Sequence, residues 1–147
     1  MTAQLNRTLA GMAQLALREP SPCGVGIDLV EVASVSRHIR AAGKRYVQRM
    51  LTAAEVEFCA DDHSRIASRI AAKEAVVKAL GCGFRGGVQW HDVTIHRAVH
   101  GEPSVVLSGR AQAHARARGV QRIVVSLTHE GGYAAAIAIA TKDGASQ

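Results

Sequence analysis

The stretch that decides the fold reads Asp62-His-Ser-Arg-Ile-Ala-Ser-Arg-Ile-Ala-Ala-Lys-Glu-Ala-Val-Val-Lys-Ala-Leu80. Acidic residues at its start and Gly81 directly after its end are typical of helix termini. At about 100° per residue, its large aliphatic side chains form one stripe that predicts burial. These are Ile66, Ile70, Val77 and Leu80, with Arg65, Arg69 and Lys73 along one edge of the stripe and Glu74 and Lys78 along the other. We therefore expect a long central helix that is packed on this stripe.

Short β-type runs precede and follow the helix. In residues 23–32, aliphatic side chains alternate with Gly24, Gly26 and Asp28, so Asp28 faces away from the aliphatics. Strands are predicted near 92–97 and 103–108, and a hairpin over 123–140 turns at Glu130-Gly-Gly132. Its last strand has only alanines on one face, which requires a closely packed neighbour such as the alanine-rich helix. The sequence thus predicts one α+β domain, a small antiparallel sheet packed on a long central helix.

The other helices are shorter. Residues 33–43 have a helical pattern that ends at Gly43, and residues 109–118 form an Ala/Arg-rich segment. Thr52 followed by Glu55 is a capping-box pattern that predicts a helix start. A glycine-rich loop, residues 81–87, follows the central helix.

Composition narrows the function classes. The chain has 147 residues, a net charge of +6 and only 3% aromatic residues. The positive charge predicts an acidic partner, but scattered aromatics and the absence of a recognition motif disfavour nucleic acid. No apolar run approaches the roughly 18 residues of a membrane span. Three cysteines without CxxC spacing favour a reducing, cytoplasmic location.

The first 20 residues form a separate case. Leu5, Leu9, Met12 and Ala16 have helical spacing, and prolines end the pattern at Pro20. These residues contain no continuous apolar segment, which disfavours a secretory signal. A mitochondrial transit peptide is an open alternative. We interpret residues 1–20 as an amphipathic helical extension of a domain over 21–147.

Candidate chemistry centres on two acids and a lysine. Glu74 and Lys78 could form a surface i,i+4 ion pair, or Glu74 could bind a metal beside a phosphate-binding Lys78. Asp28, an acid in an aliphatic strand, could cap a turn or serve as a hard oxygen ligand. Residue spacing alone leaves these alternatives open.

Further candidates lie outside this group. His129, at a strand end, could be structural or catalytic, and the loop over 81–87 could give backbone N–H groups to a phosphate. A basic cluster on and after the first helix could be a solvated face or a docking surface; its members are Arg37, Arg40, Lys44, Arg45 and Arg49.

Three segments together resemble the holo-acyl-carrier-protein synthase family of phosphopantetheinyl transferases. They are Gly24-Val-Gly-Ile-Asp28, Arg69-Ile-Ala-Ala-Lys-Glu-Ala-Val-Val-Lys78 and Val125-Ser-Leu-Thr-His129, in the family's order. The similarity extends over about residues 23–141. It implies the 4′-phosphopantetheinyl transferase fold, usually assembled as a trimer with sites between subunits. It also implies transfer of 4′-phosphopantetheine from coenzyme A to a serine of an apo acyl carrier protein, which releases adenosine 3′,5′-bisphosphate.

The resemblance also implies residue roles. Asp28 and Glu74 match magnesium ligands, Lys78 a pyrophosphate-binding lysine, and His129 a histidine near the coenzyme A phosphates. Glu74, directly or through water on the metal, is the candidate base, which makes Glu74, Lys78 and His129 the catalytic candidates. Further coenzyme A contacts are expected at Arg69, Gly81, Gly83, Gly101 and Pro103. The acidic carrier is expected to dock on Arg37, Arg40, Lys44 and Arg45.

The sequence departs from the family's pattern at three positions. Ile70 replaces a usual phenylalanine, Ser34 a common arginine of the docking helix, and Glu102 a frequent lysine. These changes predict a specialised carrier, such as one of polyketide synthesis, and the sequence leaves the type of carrier open. The alternative function is a non-catalytic basic module that docks carrier proteins or nucleic acid. A module without chemistry has no need of the four site residues Asp28, Glu74, Lys78 and His129 together, so their presence argues against this alternative.

Overall fold

The structure is a computed structural model that describes residues 21–143. Its strands are β1 (Ser21–Glu31), β2 (Val93–Arg97), β3 (Pro103–Leu107), β4 (Arg122–Glu130) and β5 (Tyr133–Lys142). Its helices are α1 (Val32–Ala42), α2 (Lys44–Met50), α3 (Ala53–Cys59), α4 (His63–Leu80) and α5 (Gly109–Ala117), with a 3₁₀ turn at Trp90–Asp92. The predicted α+β class is confirmed.

All strand pairs are antiparallel and form two sheets. One sheet has the order β1-β5-β4, and β2 pairs with β3 in the other. Helix α4 lies on the inner face of the three-stranded sheet, where the alternate alanines of β5 are buried: Ala134, Ala136, Ala138 and Ala140. The prediction that the alanine face packs closely on the central helix is confirmed.

Two glycines of β1 bring that strand unusually close to α4. A methyl group on Gly24 would overlap the carbonyl oxygen of Ala79, and one on Gly26 would overlap that of Ala75. Only residues without a side chain fit at these two positions. This close approach places Asp28, the next residue on the same face of β1, beside the last turns of α4.

Helix α4 is buried on nearly every side, which its sequence pattern did not show. The predicted stripe is buried, but so is Lys73, which the periodicity placed at the edge of that stripe. Its Nζ lies 2.7 Å from Glu55 Oε2 and also donates to the carbonyls of Met50 and Trp90. An edge position is therefore wrong for Lys73: the lysine is held inside the protein because a carboxylate and two carbonyls satisfy it.

One further element differs from the predictions. The basic residues after Gly43 belong to a separate helix, α2, because Gly43 adopts a positive φ of 61° that breaks the helix without ending the helical pattern. The capping box at Thr52 and Glu55 is present as predicted. The predicted helical extension over residues 1–20 lies outside the described residues.

The outer face of the three-stranded sheet carries the aliphatic side chains of β1. Val25, Ile27 and Leu29 are 61%, 67% and 65% exposed, and Ile137 of β5 is 40% exposed beside them. Val124 of β4 extends this surface. We call these five residues the outer apolar face. Within residues 21–143, no helix is long and apolar enough to cross a membrane.

Candidate active site

The first group of predicted site residues lies between β1 and α4. Lys78 Nζ is 2.7 Å from Asp28 Oδ1 and 3.0 Å from the carbonyl oxygen of Ile27. The surface ion pair between Glu74 and Lys78, one of the two alternatives for these residues, is not formed. Burial and the neighbouring Asp28 carboxylate raise the pKa of Glu74, although Lys78 partly offsets them. Asp28, Glu74 and Lys78 thus form one cluster, which we call the carboxylate cluster.

The carboxylate cluster has the composition of a magnesium site. Magnesium is usually held by one or two carboxylates, with water and substrate phosphates completing its shell. Two carboxylates that repel each other enough to raise a pKa are stabilised when a divalent cation lies between them. Within residues 21–143, no group of three or more His, Cys, Asp or Glu side chains could hold a metal alone. Asp28 and Glu74 therefore fit a cation that substrate phosphates help to hold.

The second group lines a cavity of about 460 Å³ between α4, β4 and the β2–β3 turn. It contains four of the predicted residues: Arg69, Gly101, Pro103 and His129. Two further arginines, Arg65 and Arg97, also line it, together with Phe58, Ser68, Ser126, Leu127 and Thr128. Three arginines and a histidine around one cavity favour an anionic ligand such as a phosphate.

Arg69 is built into the wall of this cavity. Its guanidinium carbon lies 4.5 Å from the centre of the Phe58 ring, and the residue is only 5% exposed. Burial lowers the pKa of Arg69, although a guanidinium stays charged at neutral pH. Among the described residues, its Nε has no hydrogen-bond partner. A buried donor of this kind costs free energy unless a ligand satisfies it, so the cavity favours a hydrogen-bond acceptor at Arg69.

His129 reaches the same cavity from the end of β4. Its Nδ1 lies 3.2 Å from the hydroxyl of Ser68, a buried residue one position before Arg69. The contact ties the histidine of the last motif to the helix of the central motif, across 61 positions of sequence.

The carboxylate cluster and the arginine cavity lie on opposite flanks of α4. Glu74 follows Arg69 by five positions, so the two side chains point in directions about 140° apart around the helix axis. Lys78 contacts β1, whereas Ser68 contacts β4, and these are the two outer strands of the sheet. The structure of one chain therefore divides the residues that the resemblance assigns to one site into two halves.

The remaining predicted residues lie at the edges of these groups. Gly81 and Gly83 follow the end of α4 with positive φ values of 73° and 61°. Their loop is held by Arg118, which donates to the carbonyls of Ala79 and Leu80. The predicted docking residues Arg37, Arg40, Lys44 and Arg45 are exposed on α1 and α2. Arg37 lies 3.2 Å from Glu31, and the other three form no ion pair within the described part of the chain.

Sequence reasoning missed Arg65, Ser68 and Arg97 as cavity residues. Arg65 lies one turn before Arg69 on α4, and this i,i+4 spacing was a signal for a shared face. Arg97 comes from β2, and no sequence pattern linked it to the helix.

The chain is similar to known proteins. A family model described as the 4′-phosphopantetheinyl transferase superfamily matches residues 24–138. A holo-[acyl-carrier-protein] synthase of Koribacter versatilis is 42% identical over 79% of this chain and 95% of its own length. The enzyme of the same name from Moorella thermoacetica is 44% identical over 78% of this chain and 90% of its own length.

A solved structure extends this similarity to three dimensions. The Helicobacter pylori holo-[acyl-carrier-protein] synthase in complex with coenzyme A has a TM-score of 0.73 and 28% identity, covering 79% of this chain and 98% of its own. The range that the family model matches contains all three motifs and both halves of the site. The fold, the motifs and these relatives show that the chain belongs to the holo-[acyl-carrier-protein] synthase family of the 4′-phosphopantetheinyl transferase superfamily.

Proposed function

We propose that this chain transfers the 4′-phosphopantetheine group of coenzyme A to a serine of an apo acyl carrier protein, using magnesium held by Asp28 and Glu74. The observation that carries the proposal is the presence, on one central helix, of a carboxylate cluster on one flank and an arginine-lined cavity on the other. A pyrophosphate with a divalent cation suits the carboxylate cluster, and a further phosphate suits the arginine cavity.

The arginine cavity is proposed to bind the adenosine end of coenzyme A. The 3′-phosphate of coenzyme A would accept hydrogen bonds from Arg69, whose Nε has no other partner among the described residues. The negative charge of this phosphate would be balanced by Arg65 and Arg97. Gly101 and Pro103 form the cavity wall on the side of the β2–β3 turn. Gly81 and Gly83, at the other end of α4, are proposed to contact the coenzyme through backbone N–H groups.

The carboxylate cluster is proposed to perform the chemistry. The serine oxygen of the carrier forms a bond to the phosphorus that bears pantetheine, and the bridging P–O bond of the pyrophosphate breaks. Adenosine 3′,5′-bisphosphate leaves. Glu74, whose pKa is raised, accepts the serine proton, and Lys78 donates to the phosphate oxygens. Magnesium, when bound, stabilises the charge that develops on those oxygens.

The assembly is proposed to be a homotrimer in which each site lies between two copies. Two observations support it. The two halves of the site point away from each other on one helix, so a ligand that needs both must meet the second half on another chain. The outer apolar face also favours association, since soluble monomers rarely expose large contiguous apolar patches.

The carrier protein is proposed to dock on α1 and α2. Exposed cations on adjoining helices attract an acidic surface and accelerate encounter, an effect that salt screens. Ser34 lies on the same helix, in the position where an arginine is common in the family. This departure supports a specialised carrier, such as one of polyketide synthesis. Equal turnover of all carriers tested would contradict that selectivity.

A mass spectrum tests the activity directly. Apo acyl carrier protein is incubated with this protein, coenzyme A and magnesium, with a parallel reaction in EDTA. The expected result is a mass gain of one phosphopantetheine on the carrier, which EDTA prevents. A gain that persists in EDTA would overturn the metal assignment. No gain on several carriers, with no coenzyme A binding, would leave only the non-catalytic docking module.

A further inference from the structure

One buried hydroxyl contacts the site without belonging to any predicted group. Ser68 is 2% exposed, and its Oγ lies 2.8 Å from the carbonyl oxygen of Ser64, one turn earlier on α4. The same Oγ lies 3.2 Å from Nδ1 of His129. Ser68 therefore lies between a backbone carbonyl, which only accepts hydrogen bonds, and a ring nitrogen that can either donate or accept.

Counting hydrogens decides which nitrogen of His129 carries the proton. A serine hydroxyl has one hydrogen, and the shorter of its two contacts is to the Ser64 carbonyl. With that hydrogen used, the Ser68 oxygen has only lone pairs left for the histidine. Nδ1 must then be the donor, and Nε2 of the neutral ring carries no proton.

Nε2 is the ring nitrogen left for a ligand. No hydrogen bond joins it to another side chain or carbonyl within residues 21–143, and the histidine lines the arginine cavity. The charges around the ring are Arg65 and Arg69 of α4, Arg97 of β2, and Asp62 at the start of α4. A histidine that turned its Nδ1 lone pair toward Ser68 would instead leave the Ser68 oxygen without a donor.

We propose that Ser68 is a positioning residue, which holds His129 in the Nδ1–H tautomer and so presents Nε2 as a hydrogen-bond acceptor to a hydroxyl or amino group of bound coenzyme A. Its role in the reaction rests on the proposed function, but the tautomer of His129 does not. If Ser68 had only a structural role, its hydroxyl would matter only through the hydrogen bond to the Ser64 carbonyl. Ser68→Ala would then remove that bond and leave the ring of His129 unaffected. The proposal is therefore tested on the ring itself.

The test is a long-range ¹H–¹⁵N NMR spectrum of the full chain, in which His129→Gln identifies the signals of His129. The expected result for the unmodified protein is a protonated Nδ1 and an unprotonated Nε2 in the neutral ring. Ser68→Ala is expected to shift His129 toward the Nε2–H form, and Ser68→Thr to keep the original tautomer. A proton on Nε2 in the unmodified protein, or no change in Ser68→Ala, would overturn the proposal.

The chain contains a matched control for this experiment. Ser36 of α1 contacts the carbonyl of Val32 at 3.1 Å and Nδ1 of His63 at 2.7 Å, a second serine–histidine contact away from the arginine cavity, in which the shorter distance is the one to the ring. Ser36→Ala is expected to change the signals of His63 and to leave those of His129 unchanged. A change at His129 in this control would mean that the spectrum reports a general perturbation, which would count against the proposal.

Kinetics then connect the tautomer to the reaction. Ser68→Ala is expected to lower kcat/KM by about 2- to 10-fold, the effect of one hydrogen bond of ordinary strength, and Ser68→Thr to restore it. Unchanged kcat/KM in a Ser68→Ala protein with an altered tautomer would overturn the positioning role. An Nδ1–H tautomer in a protein without any transferase activity would contradict the proposed function and support the hydrogen-bond assignment.

Discussion

Glu74 combines an unfavourable environment with the central proposed role. Its pKa is raised mainly because burial disfavours the charged carboxylate, and secondly because Asp28 repels it. A raised acid pKa means that the ionised group destabilises the folded protein above that pKa. The conflict disappears below the ordinary glutamate pKa of about 4.3, where the carboxyl is protonated in both the folded and the unfolded state.

Glu74→Gln is therefore expected to have opposite effects on activity and stability. Transfer should fall by about 100-fold or more, because the proposed base and metal ligand is lost. Without magnesium and coenzyme A at pH 7, the Tm should rise by about 1–2 °C, and the rise should vanish near pH 4. Thermal unfolding and the carrier mass shift measure the two effects. Glu57→Gln, at an exposed glutamate of α3, should change neither. Near-normal turnover of Glu74→Gln would contradict both of its proposed roles.

Lys73, the neighbour of Glu74, has a structural role that its sequence position concealed. Burial lowers the pKa of Lys73, and the Glu55 carboxylate opposes this shift. Glu55 in turn accepts hydrogen bonds from the backbone N–H groups of Thr52 and Ile95. The buried pair thus joins α3, α4 and β2 at one point.

Lys73→Met is expected to lower the free energy of unfolding by about 3–5 kcal/mol, because it leaves the Glu55 carboxylate buried without its counter-ion. The double variant Glu55→Gln with Lys73→Met should recover part of this loss. Urea denaturation measures the effect, with Lys44→Met, an exposed lysine, as the control that loses less than about 0.5 kcal/mol. A loss below about 1 kcal/mol for Lys73→Met would show that the pair contributes little.

The contact between β1 and α4 determines where the carboxylate cluster forms. Gly24 and Gly26 let the strand backbone touch the helix, and Asp28 continues the same face two residues later. Lys78 can then reach both the side chain of Asp28 and the carbonyl of Ile27. A strand held further from the helix would separate the groups that are proposed to bind magnesium.

Gly26→Ala is expected to destabilise the protein by about 3 kcal/mol or more, since the added methyl group would overlap the Ala75 carbonyl oxygen within the packed core. Gly43→Ala is the matched control: its added methyl group meets no atom within 4 Å. It should cost only the strain of the conformation of Gly43, φ 61° and ψ −146°, about 1–3 kcal/mol. Equal costs for the two substitutions, measured by chemical denaturation, would contradict the proposed close approach.

Helices α1 and α2 act as a unit in the proposed docking of the carrier. Arg40→Glu should lower kcat/KM for an acidic carrier by roughly 10-fold at low salt, with the difference shrinking as salt screens the charges. Arg116→Glu makes the same charge change on α5 and should have a much smaller effect. Steady-state kinetics at several salt concentrations measure both. Equal losses would mean that net charge, and not the α1–α2 surface, attracts the carrier.

At the scale of the whole molecule, the outer apolar face and the divided site have a common explanation. A single chain exposes the aliphatic side of β1 and directs its two half-sites away from each other. Association between copies would bury the outer apolar face and would bring the two half-sites of different chains together. Activity is then expected to depend on assembly as well as on the site residues themselves.

Ile27→Glu is expected to produce a folded monomer without transferase activity, because a buried unpaired carboxylate at the interface between copies costs several kcal/mol. Sedimentation velocity should show a trimer for the unmodified protein and a single chain for the variant, with matching circular dichroism. Val99→Glu is the control: Val99 is 98% exposed in the β2–β3 turn, outside the outer apolar face, and its substitution should leave the sedimentation unchanged. An active monomer would contradict the shared site.

The sequence by itself determined the local structure and the residues that carry the chemistry. Helix α4 and its ends followed from periodicity and from residues at its termini, and the alternation in β1 placed Asp28 on the face opposite the aliphatic side chains, which the structure shows to be the helix side of the sheet. These features depend on neighbours within a turn or two of chain, which a pattern records. The motifs containing Asp28, Glu74 and His129 identified the family, which the comparisons confirm.

Only the tertiary structure decided how those residues pair. Lys78 lies against Asp28 instead of Glu74, Lys73 is buried against Glu55, and Ser68 meets His129. Each partner is set by how α4 is rotated and pressed onto the sheet, and by segments that are distant in sequence. The same rotation separates the two half-sites. A helix pattern specifies which side chains share a face, but the packing of the whole chain specifies what each face meets.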